Sequence, residues 1–321
     1  MDVPPDPTLA DVETRNLFLD TAPERSAELE IVLDQIDFRL AADRPAFHLE
    51  ATAIMGRGLV VFTPRTMRQI WLIGFMAWQC MHEQSGFIVG FLMQGRPYDL
   101  SAPDVGDAGV EAAARIVRLG VALRTLREAQ DGRESDWPSD VPIPPTPPAE
   151  LAEEEDQAAY ELACFALSFV MLHESWHALE RVAGRDYAGR DEELACDSYA
   201  AHMLLDRVAD YATSKAYTPA QTESVSAKRA IGVFLGLVLM LESTEIGLRE
   251  PTENHPAWTA RVRAILAIIE ATTADENGHF WVFAASVILS RLRRDDVEVG
   301  IVPYNSARQL FYLVLEQFER T

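Results

Sequence analysis

The chain has 321 residues, 48% of them apolar and 24% charged, which is ordinary globular usage and excludes a disordered or fibrous protein; the length allows two modest domains or one large one. With 28 Lys and Arg against 50 Asp and Glu, the formal net charge is -22, which disfavours nucleic acid or an anionic membrane surface as the main partner. Three cysteines, Cys80, Cys164 and Cys196, have no CxxC spacing, so neither a disulfide framework nor a cysteine zinc knot is indicated, and a reducing cytoplasm suits them.

Residues 1 to about 28 are rich in Pro, Asp and Glu and read as an arm, without the basic and apolar regions of a secretory leader. Leu29, Ile31, Val32, Ile36 and Phe38 then mark a first element that runs to about Leu40. Phe47, Leu49 and Ala51 alternate, Gly56-Arg57-Gly58 suggests a turn, and Leu59-Val60-Val61-Phe62 is rich in β formers, so a hairpin is expected. Thr63-Pro64 reads as an N-cap and first helical proline, opening a helix through Met67, Ile70, Trp71 and Phe75 toward Met81. A further helix covers Val110 to Glu128.

The proline- and acid-rich stretch 133–156 is a linker or surface loop, too polar to join a core. Beyond it, helices are expected over Gln157–Val182, Asp191 to about Ala212, Ala227–Leu248, His255–Ala271, His279–Arg294 and Ser306–Glu319. The apolar stretches Ile70–Trp78 and Ile231–Leu241 fall short of the about 20 residues of a membrane span, and both read as buried helices. The expected fold class is α+β and mainly helical, with a small N-terminal hairpin or sheet packed on a helical core. Its expected parts are 1–132, the 133–156 linker and a helical 157–321, with 29–132 able to join the last in one compact unit.

Within the helix expected over Gln157–Val182 lies His173-Glu174-Ser175-Trp176-His177, an HExxH pattern. Residues four apart share a helical face, so two imidazoles can address one cation. A catalytic zinc site needs a third protein ligand and an open position. After the Gly184–Gly189 reversal, the next helix opens with Asp191-Glu192-Glu193 and carries Asp197 four residues beyond Glu193. Glu193 can close the site as third ligand, with Glu192 its nearest rival, and Asp197 can take a hydrogen bond from the second nitrogen of a ligating imidazole. Two imidazoles and a carboxylate suit Zn2+ best among the divalent ions.

HExxH followed by Glu193-x-x-x-Asp197 resembles the gluzincin metallopeptidases, and Asn254-His255-Pro256 with Arg261 is similar to the HP...R element of the HtpX-like peptidases. The short gap between the two metal motifs is more similar to the Lit-type phage-exclusion peptidases. The resemblance implies a zincin-like helical core and a cytoplasmic zinc-dependent metalloendopeptidase acting on protein or peptide substrates, in phage defence or a stress response. It implies Glu174 as general base and His255 as donor to the developing oxyanion. Restraint of such an enzyme would come from the 133–156 segment over its cleft or from a regulatory protein partner. A catalytically silent zinc-binding scaffold or sensor is the alternative.

Each motif also has a purely structural explanation. The run Asp191-Glu192-Glu193 suits a helix N-terminus in any protein. His255-Pro256 can be a helix boundary, and Arg261 a surface charge. His202, His82, His48 and His279 have no sequence partners that suggest ligation, whereas Trp176, Tyr199, Phe165, Phe169 and Met171 suit a core, as does Cys196, unless its thiol is exposed near the zinc and ligates it.

Overall fold

A computed structural model describes residues 7–41, 49–97, 106–128, 137–142, 151, 153–185, 189–243, 251–253 and 255–320. The protein is mainly helical, with a small three-stranded sheet. Strands β1 (Ile36–Leu40), β2 (Leu49–Ile54) and β3 (Arg57–Phe62) lie in the order β1-β3-β2. β2 and β3 form the expected antiparallel hairpin, in the register Leu49↔Phe62 to Ile54↔Arg57, and β1 runs parallel to β3. Phe47, which was expected to begin the alternation, lies outside the described residues.

The hairpin turn is Met55-Gly56, with φ of 51° and 79°, rather than Gly56-Arg57-Gly58. A two-residue turn with both φ positive matches the twist of the flanking strands, which places Arg57 and Gly58 in β3. Gly58 is required there for a different reason from turning. A Cβ at Gly58 would lie 3.0 Å from Cβ of Ala178, so glycine lets β3 approach the later helix Glu154–Val182 closely.

The N-terminal region is not an arm. Residues 7–33 fold as α1 (Pro7–Thr21), a 3₁₀ turn (Pro23–Arg25) and α2 (Ser26–Leu33), which bury Phe18, Ala22, Leu29 and Leu33. The first element expected up to Leu40 is thus two, α2 and β1. This region is fastened by Arg229, whose guanidinium donates to the Glu24 carboxylate and to the Leu204 carbonyl, with both members of the ion pair buried.

Helix α3 (Pro64–Gln94) opens at Thr63, whose hydroxyl accepts from the Thr66 N–H, and stops at Gly95 in the left-handed region. It extends well past Met81 because one face stays buried as far as Ile88. α4 (Gly106–Glu128) packs against it. Of the proline- and acid-rich stretch, residues 137–142 dock on this pair. Val141 is buried, Trp71 Nε1 donates to the Pro142 carbonyl, and Arg115 donates to the Asp140 carbonyl. Trp71 also touches Tyr160 edge-on, thirteen residues before His173. At 1.5 Å per residue this part of the stretch lies about 20 Å from the HExxH turn along the helix axis, and does not cover it.

The remaining helices are α5 (Glu154–Val182), α6 (Arg190–Leu205), α7 (Val208–Ser214), α8 (Pro219–Ser243), α9 (Trp258–Thr272), α10 (His279–Arg294) and α11 (Ala307–Glu319). The single helix expected from Asp191 to about Ala212 breaks at Asp206-Arg207 into α6 and α7. α9 begins at Trp258, so His255 and Pro256 precede it rather than start it. Part of the expected extension of α8 toward Leu248 lies outside the described residues.

The buried side chains form one core cluster with members from Phe18 to Phe318, and α5 runs through it, touching α3, α6, α8, β2 and β3. Three glycines on its neighbours make that approach possible. A Cβ at Gly74 of α3 would fall 2.8 Å from Cβ of Ala163, and Cβ atoms at Gly232 and Gly236 of α8 would press into the Phe165 and Phe169 side chains. By length and composition α5 and α8 could each cross a membrane, but 72% and 78% of their apolar windows are buried within this fold, as in core helices.

Gly236→Ala should therefore destabilise the protein by about 1–3 kcal/mol through overpacking. Gly86→Ala, on an exposed part of α3 where an added Cβ meets nothing within 4 Å, should be neutral or stabilising by up to about 1 kcal/mol. Urea denaturation of the two variants beside the wild type checks the contrast; equal effects would mean that the α5–α8 contact is not tight.

Candidate metal centre

Helix α5 supplies the first half of the site. Glu154, Glu155 and Asp156 favour its N-terminal dipole and Arg181 its C-terminus, and the chain turns away through Gly184 at φ 69°. Arg185 N–H returns to the Glu180 carbonyl at 2.9 Å, closing the last turn. Gly189, at φ 108°, brings the chain into α6. The Gly184–Gly189 segment thus makes the expected reversal, with Asp186, Tyr187 and Ala188 outside the described residues. α5 and α6 then pack together, with the Trp176 and Tyr199 rings stacked 4.4 Å apart beside the histidines.

His173 and His177 are both buried and point their Nε2 atoms at one another, 3.2 Å apart. Their other nitrogens are held by carboxylates. His173 Nδ1 donates to Asp197 Oδ1 at 2.9 Å, and His177 Nδ1 donates to Glu192 Oε1 at 2.7 Å. Because an ionised carboxylate only accepts, these partners fix both Nδ1 atoms as N–H donors. In the neutral rings the two Nε2 lone pairs would face each other, an arrangement relieved by a proton shared between them or by a cation bound to both.

Glu193 completes the triangle, with Oε2 3.5 Å from His173 Nε2 and Oε1 3.4 Å from His177 Nε2. Donors about 2.0 to 2.2 Å from a tetrahedral zinc lie about 3.3–3.5 Å from one another, so the residues fit this ion. The Cys196 thiol also belongs to the cluster: His173, His177 and Cys196 form a buried group, all within 4.8 Å of one another, that can hold a metal ion.

Arg261 ties the carboxylates together. It is buried, donates through Nε to Asp197 Oδ2 at 2.7 Å and through Nη2 to Oδ1 at 2.6 Å, and has Nη1 3.3 Å from Glu193 Oε2. The surface-charge explanation for Arg261 is thereby overturned. His255 is half-exposed, with Nδ1 3.4 Å from Glu193 Oε1, near enough for attraction but without hydrogen-bond geometry. Asn254 lies outside the described residues. Glu174 is half-buried, and among the described residues its carboxylate has no hydrogen-bond partner.

The electrostatics favour positive charge at this point. Burial pulls the Glu193 carboxyl up, but the imidazoles of His173, His177 and His255 outweigh it and hold it well below the usual carboxylate range. Burial likewise opposes ionisation of Asp197, and the Arg261 guanidinium reverses the direction. For His173, burial acts downward, yet Asp197 and Glu193 push it up to about 9. Glu174 is raised, chiefly by burial. Burial and the surrounding acids push the Cys196 thiol up.

The other histidines stand apart. His202 is exposed and bonds Asp206, His82 is exposed 3.9 Å from Glu155, and His279 opens α10 on the surface; His48 lies outside the described residues. Glu192, from its sequence position a rival ligand, is in the structure the partner of His177 Nδ1. An acid at the first turn of a helix carries no sequence signal that separates a dipole role from such a contact.

Asp197→Asn and Glu192→Gln should each weaken metal affinity about 10–100-fold by loosening the imidazole they orient. Chelator competition measures this, and unchanged affinity in both would show that the carboxylates do not set the rings.

The sequence model of the peptidase U49 family matches residues 60–284, which include both motif helices, the whole of α9 and the start of α10. Nothing matches this chain among curated proteins or among solved structures. With well over half of its length matched, the chain belongs to the peptidase U49 family and is a peptidase.

Proposed function

We propose that this peptidase is a zinc-dependent metalloendopeptidase that hydrolyses peptide bonds of a protein substrate, with His173, His177 and Glu193 as ligands. The observation that carries this reading is the triangle of Nε2, Nε2 and carboxylate at 3.2, 3.4 and 3.5 Å, combined with Nδ1 atoms already committed to carboxylates. When bound, zinc supplies Lewis acidity, bringing the pKa of a water to about 7 and polarising the scissile carbonyl.

The chain's own groups do the rest. Glu174, one residue round the helix from His173, accepts a proton from the attacking water and hands it to the leaving amine. Asp197 and Glu192 keep both imidazoles in the tautomer that turns Nε2 inward, and Arg261 holds Asp197 and Glu193 ionised while fixing α9 to α6. His255, at the half-exposed edge of the cluster, donates to the oxyanion that develops on the carbonyl. We place the protein in the cytoplasm, acting in phage defence or a stress response, with a regulatory protein as its restraint. Cys196 beside the histidines is the observation that favours the alternative, a zinc-holding scaffold or sensor that cuts nothing.

Elemental analysis and hydrolysis of an unstructured protein such as casein separate the two. The wild type should carry about one zinc per chain, lost in His173→Ala and weakened in Glu193→Gln. Glu174→Gln should keep its zinc and lose hydrolysis by about 10²-fold or more. Full hydrolysis by Glu174→Gln would remove the glutamate from the mechanism, and a zinc-free wild type would remove the metal.

A further inference from the structure

A fourth potential ligand stands beside the two imidazoles and Glu193. Besides Glu193, the Cys196 thiol lies in one group with a nitrogen of each histidine, all within 4.8 Å of one another. Sulfur at about 2.3 Å and nitrogen at about 2.0 to 2.1 Å from a tetrahedral zinc are about 3.6 Å apart, so ligation by sulfur asks for a shift of about 1 Å at most. Cys196 is fully buried, and it follows Glu193 by three residues on α6, so both donors stand on one face of one rigid element. Among the described residues the thiol makes no hydrogen bond. The other two cysteines are elsewhere: Cys80 lines a cavity between α3, α8 and α10, and Cys164 lies nine residues before His173 on α5.

Zinc with four protein ligands is closed, as in structural sites, whereas a peptidase needs one position open. Resting on the metallopeptidase reading above, we propose that Cys196 is a fourth protein ligand that closes the metal site in the resting protein and must leave before substrate can enter. On closing, the S–H bond breaks, its proton passes to solvent and the sulfur electron pair is shared with the metal. On opening, the sulfur regains a proton, and no oxidation or reduction takes place. The site is then a peptidase held shut by its own ligand helix, with no lid required.

The test is absorption spectroscopy of the full chain loaded with Co2+ in place of zinc, for the wild type, Cys196→Ser and Cys196→Ala, with far-UV circular dichroism as a control of folding. The wild type should show a thiolate-to-cobalt charge-transfer band in the near ultraviolet together with visible ligand-field bands. Both variants should lose the first, keep the second, and release cobalt to a chelator at least about tenfold faster. Visible bands without the charge-transfer band in the wild type would overturn the role of Cys196 and leave the His-His-Glu site standing. A charge-transfer band that survives in both variants would equally overturn it. No bound cobalt in the wild type would overturn this proposal together with the metallopeptidase reading. The wild-type spectrum decides even where a variant fails to fold.

Discussion

A long helix buried on most of its sides, α5, is the constraint on which the other elements depend. Its neighbours reach it through glycine or alanine: Gly74 against Ala163, Gly232 and Gly236 against the two phenylalanines, and Gly58 against Ala178. Such closeness leaves little room for solvent along its buried faces, so the polar groups buried there, among them His173, His177 and Ser175, are hydrogen-bonded within the protein. The HExxH turn is where α5 carries such groups inward, and α6 meets it with acids.

The partners arrive in a fixed order of dependence. Asp197, fully buried, receives both His173 and Arg261, and would be costly to ionise there without them. Arg261 in turn belongs to α9, so the helix after the His255-Pro256 segment is joined to α6 through two carboxylates, Asp197 and Glu193, and through Asp197 to His173 of α5. Four carboxylates, Glu174, Glu192, Glu193 and Asp197, surround the pair of imidazoles, and among the described residues Arg261 is the one guanidinium bonded to them. That excess of negative charge is what a divalent cation bound by neutral imidazoles would balance. Trp176 and Tyr199, stacked across the α5–α6 seam, hold the two faces in register without taking part in the charge network.

Much of this was legible in the sequence because the signals are local. The spacing of His173 and His177, the glycines of the reversal and the Glu193–Asp197 spacing all act within one or two helical turns, and they are found together in the structure. His279–Arg294 has the limits that its periodicity suggests, and the Leu59–Phe62 run is a strand. What was not legible depends on distant residues. The acid- and proline-rich start reads as an arm, but Phe18 and Leu29 are buried, α1 packs against β1 and α5, and the Glu24–Arg229 pair ties the 3₁₀ turn to α8. Gly58 looked like a turn residue because glycine serves both turning and close approach, and only the position of Ala178 distinguishes them. Residue spacing alone left Arg261 open between the HP...R element and a surface charge, because its acid partner stands 64 residues earlier.

The span of the site along the chain bears on how it is assembled. His173, His177, Glu193 and Cys196 all fall within 24 consecutive residues, and the segment between the second histidine and Glu193 is only 15 residues long. Closing so short a loop costs little chain entropy, and contacts of low sequence separation form early in folding. The ligand set can therefore come together as a two-helix unit before the chain reaches Arg261, and a cation captured at that stage would staple α5 to α6 while the remaining helices are still docking. The same short loop would let the unfolded chain keep some hold on such a cation, which would then stabilise the native protein by less than its native affinity alone suggests.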